Sequence, residues 1–474
     1  MLVMEKQTNQ LLRRLPSVDV ILKNPALQAL EGQLGRSPVA EAVRASVEEV
    51  RQRLLAGAAD DPSEGQIQQW VVSAATSRLE SLERPFYGRV VNGTGIVLHT
   101  ALGRAVLAGK ALEQIQETLG GYSLLQADRE TGKRSWRDEC IEALLQRLTG
   151  AEAATVVNNN AAATAIVLNT VAAGKEVIVS RGQLVEIGGS FRLPDVMAFS
   201  GAKLVEVGTT NKTHARDYEN AITENTAAIL RVHPSNYKIQ GFSSEVPLDV
   251  MVKIAHEHDL PLIDDVGAGA LIDFSQFGFA PEPTLPESIC RGADIVTSSA
   301  DKLIGASQGG IILGRKRWID AIRKNQFARI VRVGKLTLAA LEATLKLFLD
   351  ETVALREVPT LQMLRRTAED IKQHAERLVA QVREKVPDAP VTTTPGFSQM
   401  GSGSLPTQNL ATTLVTVEAK GGDAEALAKR LRLNEPPIFA RIQDDRVLID
   451  TRTLRDGDDP VVIAALGRIL GGGQ

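Results

Sequence analysis

The sequence predicts an α/β protein that has a large domain built on a mostly parallel sheet, a helical N-terminal domain and a small α+β C-terminal domain. Two observations predict this class. Short runs of β-branched residues alternate with helical stretches from Val90 onward, and 43% of the 474 residues are apolar, with 39 glycines in the chain. Such alternation is typical of parallel sheets, because each parallel connection needs a crossover that is usually a helix. A sheet of this kind is covered on both faces, and its ligands bind beyond the carboxyl ends of the strands.

Residues 1–86 are predicted to form the helical domain. Its clearest helix has Ser37 as N-cap and Pro38 at the first helical position. Apolar residues then recur on one face of the helix, at Val39, Val43, Val47, Val50 and Leu54. This helix is expected to end at Gly57.

A linker is expected at residues 58–65, where small, acidic and turn-forming residues cluster, and a further helix at residues 66–82. Basic and acidic side chains are nearly equal in number in the N-terminal domain. Charge balance alone therefore predicts a helical cap or dimerisation arm rather than a nucleic-acid-binding domain.

Residues 87–345 are predicted to form the large α/β domain. A buried strand begins at Leu262, and further strands are expected at Glu176–Ser180, Lys203–Val207, 228–232, 294–299 and 311–313. The stretch from Val90 to Arg104 contains glycines but no GxGxxG motif after a strand, which argues against a nicotinamide cofactor.

Residues 346–474 are predicted to form the small C-terminal domain, which follows a long helix starting near Thr337. The elements expected there are a helix at 365–385, a strand at 412–417, a helix at 423–431, a hairpin of 438–441 with 447–450, and a last helix.

Lys302 is the residue with the strongest indication of a function. It lies on a turn between two predicted strands, close to Gly305 and Gly309, in apolar surroundings. A lysine in such a place is costly unless it is paired or has lost its charge, and a lowered pKa is what an amine nucleophile needs. The alternative is a lysine that extends its ammonium group to solvent.

Two further features complete the requirements of one cofactor. Asp265 lies at the end of a buried strand, and residues 158–160 precede a run of helix-forming alanines. A pyridoxal phosphate enzyme needs a lysine for the Schiff base, a carboxylate that keeps the pyridine nitrogen protonated, and a helix N-terminus for the phosphate. The order phosphate helix, aspartate strand, lysine strand is that of the aspartate-aminotransferase-like superfamily. The residues predicted to bind the cofactor are Lys302, Asp265, Asn159, Asn160, Ala161, His233 and Ser299.

Composition excludes several other classes. The formal charge is −3, so the chain is not a globally basic nucleic-acid binder, and any polyanion must be bound by a local patch. The two cysteines form no metal-like spacing and no disulfide framework, and no metal site is expected. Without an apolar run of membrane-spanning length or a signal-peptide core, a cytoplasmic location is expected.

Eight stretches distributed over nearly the whole chain closely resemble one family. They are residues 15–19, 94–104, 157–163, 179–189, 207–211, 235–242, 301–303 and 338–345. The family is L-seryl-tRNA(Sec) selenium transferase, the bacterial selenocysteine synthase. The resemblance implies conversion of seryl-tRNA(Sec) to selenocysteinyl-tRNA(Sec), by β-elimination of the serine hydroxyl and addition of selenium from selenophosphate. It also implies pyridoxal phosphate as cofactor and a homo-oligomer, a ring of dimers that forms a decamer.

The resemblance also implies roles for individual residues. Lys302 is expected to carry the Schiff base and Asp265 to face the pyridine nitrogen. The other catalytic residues implied are Asp301, Arg104, Arg329 and Arg332, and residues 1–86 are expected to bind tRNA. Guanidinium groups suit the phosphate-like selenium donor. The stretch 315–335 is rich in Lys and Arg, so Arg329 and Arg332 could instead form a solvated basic face or contact tRNA phosphates. His99 and His233 are candidates for packing on the cofactor ring, against the alternative of structural histidines.

The sequence departs from the family pattern near the cofactor. Ala268 replaces a serine, while Ala300, Ala306 and Ser307 replace two glycines and a proline. Two rival functions are a lyase or transferase that acts on a small amino acid or amino-sugar phosphate, and a silent RNA-binding homologue. The N-terminal domain argues against the first, and Lys302 argues against the second.

Overall fold

The computed structural model describes residues 11–56, 61–189, 191–419 and 422–471. The chain divides into two compact units, Met1–Arg89 and Val90–Gln474. Within the described ranges, no helix has both the length and the apolar composition needed to cross a membrane.

The first unit is helical, as predicted. Its helices are α1 (Val18–Ile21), α2 (Pro25–Leu34), α3 (Arg36–Leu55) and α4 (Glu64–Glu83). Val39, Val43, Val50 and Leu54 of α3 are buried in one core with Ile67, Val71, Ala75 and Leu79 of α4. The apolar periodicity predicted for α3 is confirmed, and Val47 packs at the edge of this core.

Two predictions about the ends of these helices are wrong. Ser37 is not the N-cap of α3, because Gly35 takes that place with φ 83° and also ends α2. Pro38 therefore lies in the first turn, where its missing N–H has no cost. The expected linker is shorter than 58–65, since Ser63 caps α4 by accepting a hydrogen bond from the Gln66 N–H. Residues 57–60, including the expected helix end at Gly57, lie outside the described ranges.

The second unit contains the predicted, mostly parallel sheet. Its seven strands are β2 (Ala153–Val157), β3 (Glu176–Ser180), β6 (Lys203–Val207), β7 (Thr226–Val232), β8 (Leu262–Gly267), β9 (Ile295–Ser299) and β10 (Gly310–Gly314). They lie in the order β2-β10-β9-β8-β7-β3-β6. β10 is antiparallel to both its neighbours and the other pairings are parallel. The carboxyl ends of the other six strands therefore meet at one edge.

Helices cover both faces of the sheet. Strand residues alternate between two cores, so that Val296 and Ile311 face one and Ile295 and Ile312 face the other. The first core is closed by α6 (Glu139–Thr149) and α14 (Lys335–Leu347), and the second by α7 (Asn160–Ala172), α8 (Leu193–Ser200) and α12 (Lys316–Lys324).

Short elements complete this part of the chain. They are β1 (Val91–Asn92), α5 (Gly109–Leu119), β4 (Glu186–Ile187), β5 (Phe191–Arg192), α9 (Ala215–Glu219), α10 (Leu248–Glu257), α11 (Leu285–Cys290) and α13 (Phe327–Ile330). The expected boundary at 345/346 falls inside α14, and the division of the second unit there stays a prediction.

The C-terminal part is an antiparallel sheet with helices. Strands β11 (Val391–Gly401), β12 (Ser404–Glu418), β14 (Arg441–Gln443) and β15 (Arg446–Asp450) lie in the order β11-β12-β15-β14. The helices are α15 (Glu351–Glu357), α16 (Pro359–Arg365), α17 (Ala368–Lys385), α18 (Ala424–Arg432) and α19 (Asp459–Leu470).

Three local predictions in this part are corrected. The helix expected at 365–385 begins later, at Ala368, because Thr367 caps its start with Asp370 as its partner, and Arg365 is the last residue of the preceding helix α16. The strand expected at 412–417 is the end of a much longer strand, β12, and its partner β11 was not predicted. Residues 438–439 form β13, which pairs in parallel with β1 and not in the expected hairpin; the hairpin itself is confirmed only for 441–450.

Candidate active site

A cavity of about 430 Å³ lies at the edge where the carboxyl ends of the strands meet. Its lining includes the predicted residues Arg104, Asn159, Asn160, Ala161, His233, Asp265, Ser299, Asp301 and Lys302. A more voluminous cavity, about 1170 Å³, lies beside α5, α6 and α14, but none of the predicted site residues lines it. The smaller cavity is therefore the candidate active site.

Lys302 lies on the tight turn between β9 and β10, as predicted. The turn is closed by backbone hydrogen bonds from Ala300 N–H to the Gly309 carbonyl (2.8 Å) and from Gly305 N–H to the Lys302 carbonyl (3.0 Å). Lys302 is only 8% exposed. Burial lowers the pKa of its ammonium group, and the adjacent carboxylate of Asp301 opposes part of that effect. The amine is thus prepared for nucleophilic attack.

Asp265 is a buried carboxylate on β8, 4% exposed. It accepts hydrogen bonds from Asn160 Nδ2 (2.9 Å), Thr164 Oγ1 (2.9 Å) and the Gly267 N–H (3.0 Å). Burial raises the pKa of Asp265, and these hydrogen bonds oppose the rise. A fixed, buried carboxylate of this kind fits a cationic ring nitrogen as its partner.

The start of α7 forms a second wall of the cavity. Asn159 caps the helix by accepting a hydrogen bond from the Ala162 N–H at 2.9 Å. The first N–H groups of any helix have no acceptor within it, and they carry a partial positive charge that suits a phosphate. Asn160 Oδ1 is buried without a hydrogen-bond partner within the described ranges. Amine, carboxylate and helix N-terminus together fit pyridoxal phosphate.

Arg104 and Asp301 form an ion pair inside the cavity, with 2.7 Å between Arg104 Nη1 and Asp301 Oδ2. Arg104 has φ 62°, in the left-handed region, and follows the left-handed Gly103. A non-glycine residue uncommonly adopts this conformation, and such residues occur in tight turns and cluster at functional sites. The turn directs the arginine to the carboxylate beside the lysine.

The two candidate histidines differ in position. His233 follows β7 and lines the cavity, and its Nε2 lies 2.8 Å from Glu282 Oε2. His99 is half-buried and is not among the residues that line the cavity. Burial lowers the pKa of His99. Of the two, His233 is the one that lines the cavity, whereas Thr100, the residue after His99, lines it in place of His99.

Arg329 and Arg332 lie outside the cavity that contains Lys302. They line a neighbouring cavity of about 200 Å³, together with Arg134, Arg137 and Arg323. Arg323 is neutralised by Glu142 at 2.9 Å. Burial lowers the pKa of Arg137, and the positive charge of Arg332 lowers it further. This second cavity therefore has an excess of positive charge.

The segment that carries these arginines is nevertheless tied to the active site through the backbone. The Asn158 N–H donates to the Val331 carbonyl at 2.9 Å, and Arg332 forms an isolated bridge with Val157. The arginine segment thus lies against the turn that leads from β2 into α7.

The departures from the family pattern do not line the cavity. Ala268, Ala300 and Ala306 are buried in the core beneath it. Ser307 donates a hydrogen bond to the Thr337 carbonyl at 3.0 Å. Gln308, the residue after Ser307, lines the cavity together with Asp301 and Lys302.

Several lining or supporting residues were not predicted. Thr164 follows Asn160 by one helical turn, and this spacing could have indicated that both reach Asp265. Ser402 and Gly403 come from the turn between β11 and β12, and Glu282 comes from a loop before α11. Nothing in their local sequence indicates that they approach the cavity, because tertiary packing brings them there.

The fold and site define a pyridoxal phosphate-dependent enzyme built on a mostly parallel α/β sheet. Residues 90–455 match the sequence model of the family L-seryl-tRNA selenium transferase, and residues 12–51 match that of the selenocysteine synthase N-terminal domain. The chain belongs to the L-seryl-tRNA selenium transferase family. The resemblance drawn from the sequence is confirmed, and with it the predicted class of enzyme and its cofactor.

Individual relatives agree with this assignment. The chain is 45% identical over 462 residues to an L-seryl-tRNA(Sec) selenium transferase of Alkaliphilus oremlandii, covering 96% of this chain and 98% of the relative. It is 46% identical over 471 residues to the protein of that name from Nitratidesulfovibrio vulgaris, covering 98% and 100%. A D-glucosaminate-6-phosphate ammonia-lyase structure shares the fold, with a TM-score of 0.57 and 23% identity over 83% of this chain and 97% of that one. The alternative of a small-molecule lyase is not favoured.

Proposed function

We propose that the protein converts L-seryl-tRNA(Sec) to L-selenocysteinyl-tRNA(Sec) with selenophosphate as the selenium donor. The observation that supports this most directly is a buried lysine, Lys302, that shares one cavity with Asp265 and the N-terminus of α7, in a member of this family. A cytoplasmic location suits this reaction, because its substrate belongs to protein synthesis.

Lys302, Asp265 and the first turn of α7 are the residues that would hold pyridoxal phosphate. When bound, the cofactor supplies an electron sink for carbanion chemistry at the amino acid's α-carbon. Lys302 is the group in the cavity suited to take the α-proton, because burial lowers the pKa of its amine. Asp265 would keep a positive charge on the ring nitrogen, held in place by Asn160 and Thr164.

The arginines are proposed to bind the anionic groups of the substrates. Arg104 lies within the cavity and is held by Asp301. Arg329 and Arg332 lie in the adjoining, positively charged cavity, which suits the phosphate of selenophosphate. Planar guanidinium groups can hold such an anion through two parallel hydrogen bonds.

The first unit is proposed to bind tRNA(Sec), and the protein is proposed to act as a homo-oligomer, a decameric ring of dimers. Both proposals follow from the family. The N-terminal family match covers residues 12–51, which include α1, α2 and most of α3.

The direct test incubates the purified protein with seryl-tRNA(Sec), selenophosphate and pyridoxal phosphate, followed by deacylation and mass analysis of the amino acid. Selenocysteine is expected with the wild-type protein and serine with Lys302→Ala. A parallel reaction with sulfide or thiophosphate reports the preference for selenium. Unchanged serine in the wild-type reaction, with the cofactor bound, would refute the proposed function.

A further inference from the structure

A carboxylate and an imidazole form a pair in the wall of the active-site cavity. His233 Nε2 and Glu282 Oε2 are 2.8 Å apart, and the two side chains are 18% and 14% exposed. His233 lines the cavity, whereas Glu282 does not and contacts it through the histidine. In the described ranges, Glu282 has no ion pair with a lysine or an arginine. The Glu282 carboxylate therefore has the His233 imidazole as its ion-pair partner.

The position of His233 is fixed from two sides. Its backbone N–H donates to the Asp265 carbonyl at 2.9 Å, so the histidine is tied to the strand that carries the buried carboxylate. Its ring is held by Glu282, which comes from the distant loop between Gly278 and Thr284. Because Nε2 is hydrogen-bonded to Glu282, Nδ1 is the ring nitrogen that can form a hydrogen bond with a second partner. The other charged groups that line the cavity are Lys302, Asp301, Arg104 and Asp265.

The reaction proposed above has a step for which these other groups are poorly suited. Loss of the serine β-hydroxyl requires a proton on the departing oxygen, because hydroxide is a poor leaving group. Asp301 is paired with Arg104, and Asp265 is occupied by Asn160, Thr164 and Gly267. Lys302 is the base that removes the α-proton. In catalytic carboxylate–imidazole pairs, the carboxylate orients the ring and stabilises the imidazolium when it forms.

We propose that His233 is the general acid for the departing β-hydroxyl and that Glu282 is its positioning residue. This inference rests on the proposed function. Lys302 accepts the α-proton, and the electron pair of the Cα–H bond becomes the second bond between Cα and Cβ. The Cβ–O bond breaks with its electron pair on oxygen. The oxygen takes the Nδ1 proton of His233 and leaves as water. Lys302 gains one proton and His233 loses one, so protons and electrons balance.

The test compares two leaving groups on the same tRNA. tRNA(Sec) is charged with serine or with β-chloroalanine, and elimination is followed in wild type, Glu282→Gln and His233→Gln. Chloride leaves without a proton, so only the serine substrate depends on the acid. General acids typically contribute 10²–10⁴-fold, and we expect both variants to slow elimination from the seryl substrate by about 10²-fold. Elimination from the chloroalanyl substrate should stay within about threefold of wild type in Glu282→Gln, which leaves the residues that line the cavity unchanged.

Three controls make the comparison decisive. Glu224→Gln changes an exposed glutamate outside the site and should behave as wild type. Exchange of the seryl α-proton with solvent should persist in both variants, which shows that substrate and cofactor are still bound productively. Hydrogen–deuterium exchange at C2 of histidine, which proceeds through the imidazolium and is read by mass spectrometry without substrate, should slow at His233 in Glu282→Gln.

The outcomes separate the two proposals. Equal losses with both leaving groups would mean that the pair only holds the cofactor or the fold, and the acid role would be overturned. No loss with either substrate would also overturn it. A wild-type protein that eliminates from neither substrate would instead contradict the proposed function itself.

Discussion

Lys302 is the residue on which the proposed chemistry depends most. The purified protein should be yellow, and borohydride should bleach the colour and fix the cofactor to one peptide that contains Lys302. Lys302→Ala should abolish both. A reduced pyridoxyl group on any other lysine, found by peptide mapping, would show that the site is wrongly assigned.

The pH at which Lys302 reacts tests its surroundings. Burial lowers the pKa of Lys302 and Asp301 raises it, so the cofactor-free protein should bind the aldehyde at a lower pH than a surface lysine does. Asp301→Asn removes the opposing carboxylate, and the pH profile of cofactor addition should move to still lower pH. The measurement is the rate of appearance of the visible band between pH 5 and 9. A profile that moves to higher pH would contradict the assigned effect of Asp301.

The ionised Asp265 carboxylate is expected to destabilise the folded, cofactor-free protein at neutral pH. Burial raises its pKa in the folded cofactor-free protein, above the unfolded value of about 3.9. Its stabilising contribution is therefore present below the unfolded pKa and is lost as pH rises through the folded pKa. Asp265→Asn should raise the Tm of the cofactor-free protein at pH 7, with a smaller difference at pH 4, while slowing exchange of the seryl α-proton.

The matched control for this change is Asp273→Asn. Hydrogen bonds from Ser275 lower the pKa of the exposed Asp273. This pKa shift is opposite in direction to that of Asp265, so Asp273→Asn should not raise the Tm at pH 7. A lower Tm for Asp265→Asn at pH 7 would show that the carboxylate is stabilised and not strained by its surroundings.

Arg329 and Arg332 test the division between the two cavities. Arg329→Ala or Arg332→Ala should leave α-proton exchange nearly normal, because neither arginine lines the cavity of Lys302. Each should weaken the apparent affinity for selenophosphate by roughly 10- to 150-fold, since a charge-assisted hydrogen bond is worth about 1.5–3 kcal/mol. Measuring exchange of the seryl α-proton and selenium transfer separately shows which of the two steps each arginine affects. Loss of α-exchange in either variant would place these arginines in the first half of the reaction.

At the scale of elements, the close approach of β10 to α7 fixes the start of this helix, which is proposed to bind the cofactor phosphate. A Cβ on Gly310 would lie 2.1 Å from the Asn159 carbonyl oxygen, which is backbone and cannot move aside locally. Gly310→Ala should therefore displace the start of α7, destabilise the protein by about 1–3 kcal/mol and weaken cofactor binding. Gly109→Ala is the control, because nothing lies within 4 Å of its Cβ position. Urea unfolding and a spectral titration of the cofactor measure both effects.

Elements with strong local patterns were predictable from sequence, and those defined by distant partners were not. The strands at Glu176–Ser180 and Lys203–Val207 were placed correctly because their β-branched runs are bounded by polar residues. Residues 438–439 were assigned to a hairpin, but they pair with residues 91–92, more than 300 positions earlier. Ser37 was mistaken for a cap because Gly35, two residues earlier, makes the turn through a left-handed conformation that a serine would not favour.

The same distinction holds at the active site. Lys302, Asp265 and the start of α7 follow directly from strand ends in the sequence, and the fold brings them into one cavity. Glu282 and Ser402 approach that cavity only through tertiary packing, so no local pattern could place them. Arg329 and Arg332 were grouped with the catalytic residues by resemblance, and the structure gives them a cavity of their own.

At the scale of the whole molecule, a nearly neutral chain is proposed to bind two anionic substrates, a tRNA and selenophosphate. The formal charge is −3, so attraction depends on local groups such as the arginines around Arg329 and not on the net field. The described residues that line the candidate active site all belong to the unit Val90–Gln474, whereas the tRNA-binding role is proposed for Met1–Arg89. Binding of tRNA and binding of cofactor should then be separable.

Removal of residues 1–89 tests this separation. The remaining chain keeps its own sheet, its two flanking cores and every residue that lines the cavity, so it should still form the visible band with pyridoxal phosphate. Its affinity for seryl-tRNA(Sec) should fall strongly. Phosphate contacts are released steeply by salt, and each contact contributes to the slope of log affinity against log salt. Affinity should therefore be measured at two salt concentrations, where the shortened chain is expected to show a weaker dependence than the full chain. Equal affinity and an equal slope with and without residues 1–89 would mean that the second unit binds the tRNA by itself, and the helices of the first unit would need another role.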